Sequence, residues 1–145
     1  MTAQEQIISV LGGAKAVGLK KGKLLPSLQE PVRAGLNFAA LEAFQLRYQM
    51  TQAQMQYLID ISERTLARRK SEQILNKSES DRLYRLARIA AMAEDVFGSL
   101  AAASSWFKEI NPVLGGVAPW SILDTDEGAQ RVAELLGRIE HGVYS

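Results

Sequence analysis

The sequence predicts an all-α protein. Three observations predict it. Apolar residues recur every three or four positions along most of the chain. Ser, Thr, Asn and Asp stand where those periods begin, as helix caps do. No stretch alternates apolar and polar residues long enough to read as a strand.

Each element has its own signal. Residues 4–12 put Ile7, Ile8 and Leu11 on one face, and Gly12-Gly13 stop the helix. Lys15, Lys20, Lys21 and Lys23 then mix with Gly18 and Gly22, which reads as an exposed basic loop. Residues 27–35 open at Ser27, a candidate N-cap, carry Pro31 in the first turn and end at Gly35. Asn37 is placed to cap a helix over 38–48, with Leu41, Phe44 and Tyr48 on one side. Thr51-Gln52-Ala53-Gln54 is a capping-box pattern, opening a helix with Met55, Leu58 and Ile59 inside. Asp60-Ile61-Ser62 breaks that helix, and Ser62 caps the next, from Glu63 to about Lys70. Ser78 or Ser80 caps a long helix striped by Leu83, Leu86, Ile89, Ala90 and Phe97.

The last third follows a different grammar. Residues 101–110 form a helix containing Trp106 and Phe107, ended by Asn111-Pro112. Residues 114–120 make a tight loop around Gly115-Gly116. Asp124-x-x-Glu127 is an acidic capping pattern for a final helix faced by Val132, Leu135, Leu136 and Ile139. Gly142 ends it in the left-handed conformation. The expected organisation is an N-terminal basic segment (1–36), a central helical domain (37–98) and a C-terminal domain (99–145).

Composition narrows the chemistry. Hydrophobic residues make up 47% of the 145 residues and charged ones 23%, enough for a packed core. Without cysteine there is no disulfide scaffold, zinc ribbon or thiol nucleophile. A single histidine excludes a His-rich metal site, so neither metal nor cofactor is expected. No apolar run nears the ~18–20 residues of a membrane span. The opening Met1-Thr2-Ala3-Gln4-Glu5-Gln6 lacks the basic region of a signal peptide. The expectation is a soluble cytoplasmic protein without membrane contact. Residues 1–90 carry fourteen of the 17 Lys and Arg and eight of the 16 Asp and Glu, net +6. The rest carry three and eight, net −5, which suggests two different partners.

Residues 51–70 carry the clearest chemistry. Two short helices joined by a tight turn are a helix-turn-helix, whose second helix enters the DNA major groove. Leu66 is its inward anchor, and Arg64, Arg68, Arg69 and Lys70 place four cations within two turns. Arginine pairs with guanine O6 and N7 or clamps a phosphate. Gln52, Ser62 and Thr65, at helix N-termini, suit phosphate or base-edge hydrogen bonds. Two positions depart from the usual pattern: Asp60 where the turn commonly has glycine, and Gln56 where a small residue is common.

The C-terminal third resembles the Xre/MbcA/ParS toxin-binding domain. The matching pieces are Trp106, Asn111-Pro112-x-Leu114-Gly115-Gly116, Pro119, Ile122-Leu123-Asp124-Thr125 with Gly128, and the ending Leu136-Gly137-Arg138-Ile139-Glu140-His141-Gly142-Val143-Tyr144. Upstream, Arg64-Thr65-Leu66-x-Arg68-Arg69 and Ser80-Asp81-Arg82-Leu83-x-Arg85 resemble an Xre-like helix-turn-helix. The resemblance implies an Xre-like helix-turn-helix bundle followed by a small toxin-binding and dimerisation domain. It implies a homodimeric type II antitoxin that represses its own operon by binding operator DNA through residues 51–70. It also implies a cognate toxin, of the NAD+-degrading RES class, held through residues 101–145 with its active site blocked by the chain's end. Carried over by position, that end is Arg138, Glu140, His141, Gly142, Val143, Tyr144 and Ser145, to which Trp120 is added.

Other readings stay open at this level. The chain also fits a stand-alone helix-turn-helix regulator whose C-terminal domain dimerises or senses a ligand. Trp106 and Trp120 suit either core or interface. The lysines before residue 24 could meet DNA, the helix-turn-helix or the partner. An enzyme is not expected: Gly115-Gly116 lacks the Lys-Ser/Thr of a phosphate loop, and His141 beside Glu140 has no paired nucleophile.

Overall fold

The computed structural model describes residues 1–19 and 27–142. Lys20, Lys21 and Lys23 therefore lie outside the described residues, as do Val143, Tyr144 and Ser145. Among the described residues the chain is all-α, and its only extended pairings are two isolated bridges, Asn37 with Ile74 and Asn111 with Val117. No helix among them is long and apolar enough to cross a membrane. The chain divides into two compact units, Met1–Ala87 and Arg88–Ser145.

In the first unit, α1 (Ala3–Val10) and α2 (Ala14–Val17) pack against α4 (Phe38–Arg47). Lys15 is exposed as expected but stands in the one-turn helix α2, not in a loop. Then α3 (Gln29–Ala34) starts after Leu28, while the Ser27 hydroxyl accepts only the Gln29 N–H, at 3.3 Å. Next, α5 (Gln52–Ile59) opens with the expected capping box: Thr51 Oγ1 accepts from Gln54 N, and Gln54 Oε1 accepts from Thr51 N. The following helix, α6 (Glu63–Glu72), is capped by Ser62. Tyr48, Phe44, Met55, Leu58 and Ile59 fill the core between them.

Two caps differ from expectation. Asn37 precedes α4, but its side chain makes no cap; its Nδ2 donates to the Lys15 carbonyl at 3.3 Å. The long helix α7 (Lys77–Phe97) begins one residue before Ser78. Its start is a reciprocal pair: Glu79 N donates to Asn76 Oδ1 at 2.8 Å, and Asn76 N donates to Glu79 Oε1 at 2.9 Å. Asn76, not either serine, supplies the cap. Ser80 is fully buried, and its hydroxyl accepts the Leu36 N–H at 2.7 Å, tying the strand-like entry of α4 to α7.

In the second unit, α8 (Leu100–Lys108) is capped by Ser99. Asn111 is buried; its Oδ1 accepts from Val113 N, and its backbone closes a small loop through Val117 and Gly116. Two 3-10 turns follow, Pro112–Leu114 and Pro119–Ile122. The last helix, α9 (Asp126–Glu140), is capped by Thr125, not by Asp124. A hydroxyl one residue nearer the helix reaches the Gly128 N–H, which leaves the acids of the first turn to favour the positive end of the helix. Val132, Leu135 and Leu136 are buried and Ile139 is half-buried. Gly142 follows the helix at φ +71°.

Candidate functional site

The helix-turn-helix is assembled as its sequence requires. Asp60 ends α5 in the left-handed region, at φ 53° and ψ 62°. A short polar side chain tolerates that conformation, so aspartate stands in for the usual glycine. Ile61 is buried under the turn. Arg82 of α7 donates from Nη1 to the Ile59 carbonyl at 3.4 Å, meeting one of the carbonyls left open at the end of α5.

The burial of Leu66 sets how α6 faces. Arg64 and Arg68 lie on the outer side, one turn apart. The Arg68 side chain keeps 62% of its surface exposed and pairs with Glu72 at 3.5 Å, a surface contact of little strength. Lys70, Ala67 and Glu63 line the flank toward α4. There an open groove of about 980 Å³ is floored by Phe38, Met50 and Leu66 and edged by Gln45, Gln49 and Gln52. Ser62 and Thr65 are brought together, their hydroxyls 2.9 Å apart, at the start of α6.

Arg69 is placed differently from the other three cations. Its side chain is only 14% exposed. Nε donates to Glu79 Oε1 at 2.7 Å, and Nη2 donates to Oε2 at 3.1 Å. This two-pronged pair locks the end of α6 to the capping box of α7, because Oε1 also accepts from Asn76 N. The hydrogen bond to Glu79 raises the Arg69 pKa above its ordinary value; desolvation opposes this, and the charges of Glu79 and Glu72 add to it. A cation stabilised in this way is complete below the ordinary guanidinium range. Its contribution fades only as pH rises through the raised value. Spacing alone did not separate Arg69 from Arg68. From the sequence the cap of α7 is expected at Ser78 or Ser80; the Asn76-x-x-Glu79 spacing was the signal that could have found Glu79, and with it the partner of Arg69.

In the second unit the aromatic side chains form a chain of contacts. The Phe97–Trp106 and Trp106–Phe107 centroids are each 5.3 Å apart, and Phe107 stacks on Trp120 at 4.5 Å. Trp120 is buried, so this member of the expected toxin-binding set lies in the core. Arg138, Glu140, His141 and Gly142 are exposed at the end of α9. They lie together on the final turn and its cap.

Comparison with known proteins resolves what these two units are. Residues 27–88 match the family described as the antitoxin Xre-like helix-turn-helix domain. Residues 92–142 match the antitoxin Xre/MbcA/ParS C-terminal toxin-binding domain. The chain is 31% identical over 120 residues to Antitoxin Xre of Yersinia enterocolitica, covering 81% of each protein. It is 41% identical over 80 residues to Antitoxin Xre of Pseudomonas putida, covering 54% of this chain and 50% of that one. Over 84 residues it is 32% identical to the Prs ADP-ribosylating antitoxin of a Sphingobium strain, covering 52% and 53%. With a helix-turn-helix in one unit, a toxin-binding domain in the other and a relative matched along most of its length, the chain belongs to the Xre family of antitoxins.

Proposed function

We propose that this antitoxin neutralises a RES-domain toxin that depletes NAD+ and represses its own operon by binding operator DNA. The observation that carries the reading is the union in one chain of an exposed cationic helix-turn-helix and a toxin-binding domain. The partner's class is supported by the name of the Sphingobium relative, since ADP-ribosylation also draws on NAD+. The protein works in the cytoplasm as a homodimer, placing two α6 helices in major-groove half-sites about 34 Å apart. Arg64, Arg68 and Lys70 contact phosphates or guanine, with Gln52, Ser62 and Thr65 at the helix starts. Arg69 acts from behind, holding α6 in register. Toxin is held through residues 101–145. Arg138, Glu140, His141 and Gly142, with Val143, Tyr144 and Ser145, block its active site, and Trp120 supports that surface from the core. No catalysis is assigned to the chain: its function is binding.

The test is co-expression with the neighbouring gene, scored for growth and for co-purification. The reading expects a toxic neighbour that is silenced and captured. Substitution of Arg64 and Arg68 by Ala should abolish operator binding and leave neutralisation intact. A harmless neighbour that never co-purifies would instead favour a stand-alone regulator.

A further inference from the structure

One residue of α6 does not fit a surface made only to attract DNA. Glu63 is exposed on the first helical turn, beside Arg64, and lines the same groove as Gln49 and Gln52. A carboxylate there approaches a polyanion and weakens sequence-independent binding. The fold does not use it as it uses Glu79: among the described residues Glu63 joins no ion pair. Its helix position is nonetheless one from which helix-turn-helix proteins touch base edges, because the N-terminal residues of the second helix point into the major groove.

The chemistry of that groove narrows what Glu63 can touch. An ionised carboxylate only accepts hydrogen bonds. Guanine and thymine present acceptors in the major groove and would repel it. Adenine sets its N6 donor beside the N7 acceptor. Cytosine alone offers the N4 donor without a neighbouring ring acceptor of its own. We infer that Glu63 is a specificity-determining residue that accepts a hydrogen bond from N4 of a cytosine in each operator half-site. The electrostatic cost against every other sequence makes it a discriminator as well as a contact. This inference rests on the DNA-binding reading above.

The test is selection of binding sites from a randomised duplex library by the full chain and by Glu63→Gln, with a thermal melt of both. Glutamine accepts and donates, which suits adenine. The wild-type half-site should contain one position with a cytosine preference of roughly five- to a hundredfold. Glu63→Gln should shift that position toward adenine, keep the rest of the site and melt as the wild type does. If Glu63→Gln selects the same cytosine, the inference is overturned. A lower melting temperature with equal weakening on all sites would also overturn it, making Glu63 a helix-end stabiliser. Failure of the wild-type chain to enrich any sequence would bring down the DNA-binding reading and this inference with it.

Discussion

The two units use their conspicuous side chains in opposite ways. In Met1–Ala87 the charged residues of α6 stand outside the core, apart from Arg69. In Arg88–Ser145 Phe107 is fully buried and Trp120 is buried and stacked on it, while Phe97 and Trp106 are half-buried. A cation on a short amphipathic helix is solvated by default, so its exposure follows from its spacing to the buried Leu66. A tryptophan gains from burial in a core or in an interface, and nothing local distinguishes the two.

Six substitutions would break or sharpen this contrast. The largest effect is expected from Phe107→Ala, which removes the centre of the aromatic chain and should destabilise the second unit by about 3–5 kcal/mol in urea unfolding. Toxin capture should fall far more than DNA binding; a parallel loss of both would show that the units fail together. Next is Glu79→Ala, which leaves the Arg69 guanidinium only its longer contact to Glu72 at 3.7 Å and removes the half of the α7 cap that accepts from Asn76 N. The expected cost is about 3 kcal/mol, near the low end for a broken buried pair. DNA binding should fall while toxin capture persists. In contrast, Arg64→Ala should change stability by under about 0.5 kcal/mol and lower the salt slope of DNA binding by about one.

Gly128→Ala probes the second unit without touching an aromatic ring. A Cβ there would overlap the backbone carbonyl of Ile122, so α9 must shift from the preceding turn. Calorimetry should register a loss of about 1–3 kcal/mol. The matched caps come next, Thr51→Ala in one unit and Thr125→Ala in the other. Each removes a single hydroxyl cap worth about 1 kcal/mol. Similar losses in chemical denaturation would place the contrast between the units in their side-chain surfaces, not in how their helices begin.

Much of the architecture is legible in the sequence. The capping box of α5, the Ser62 cap, the Leu66 anchor and the glycine after α9 are local features, set by residues within one helical turn of each other. The caps of α7 and α9 were less legible because several polar residues crowd each start. Asn76 and Thr125 won because their side chains reach the third helical N–H, while Ser80 was drawn away by the Leu36 amide. The family resemblance rested on ordered motifs, and at Gly128 the structure gives one of them a physical reason: the neighbouring carbonyl of Ile122 leaves no room for a side chain.

The sequence by itself determined the helical class, the two helices of the helix-turn-helix and the presence of a second, acidic module, because periodicity, caps and charge act over a few residues. Only the tertiary structure decided which members of those patterns remain at the surface. Arg69 and Arg68 are neighbours of the same type, yet one is clasped by a carboxylate ten positions away and the other faces solvent. Trp120 lies in the same motif-bearing region as the exposed end of α9, yet it packs on a ring from α8. Such choices depend on which elements meet in space, and a linear pattern of residue types does not contain that information.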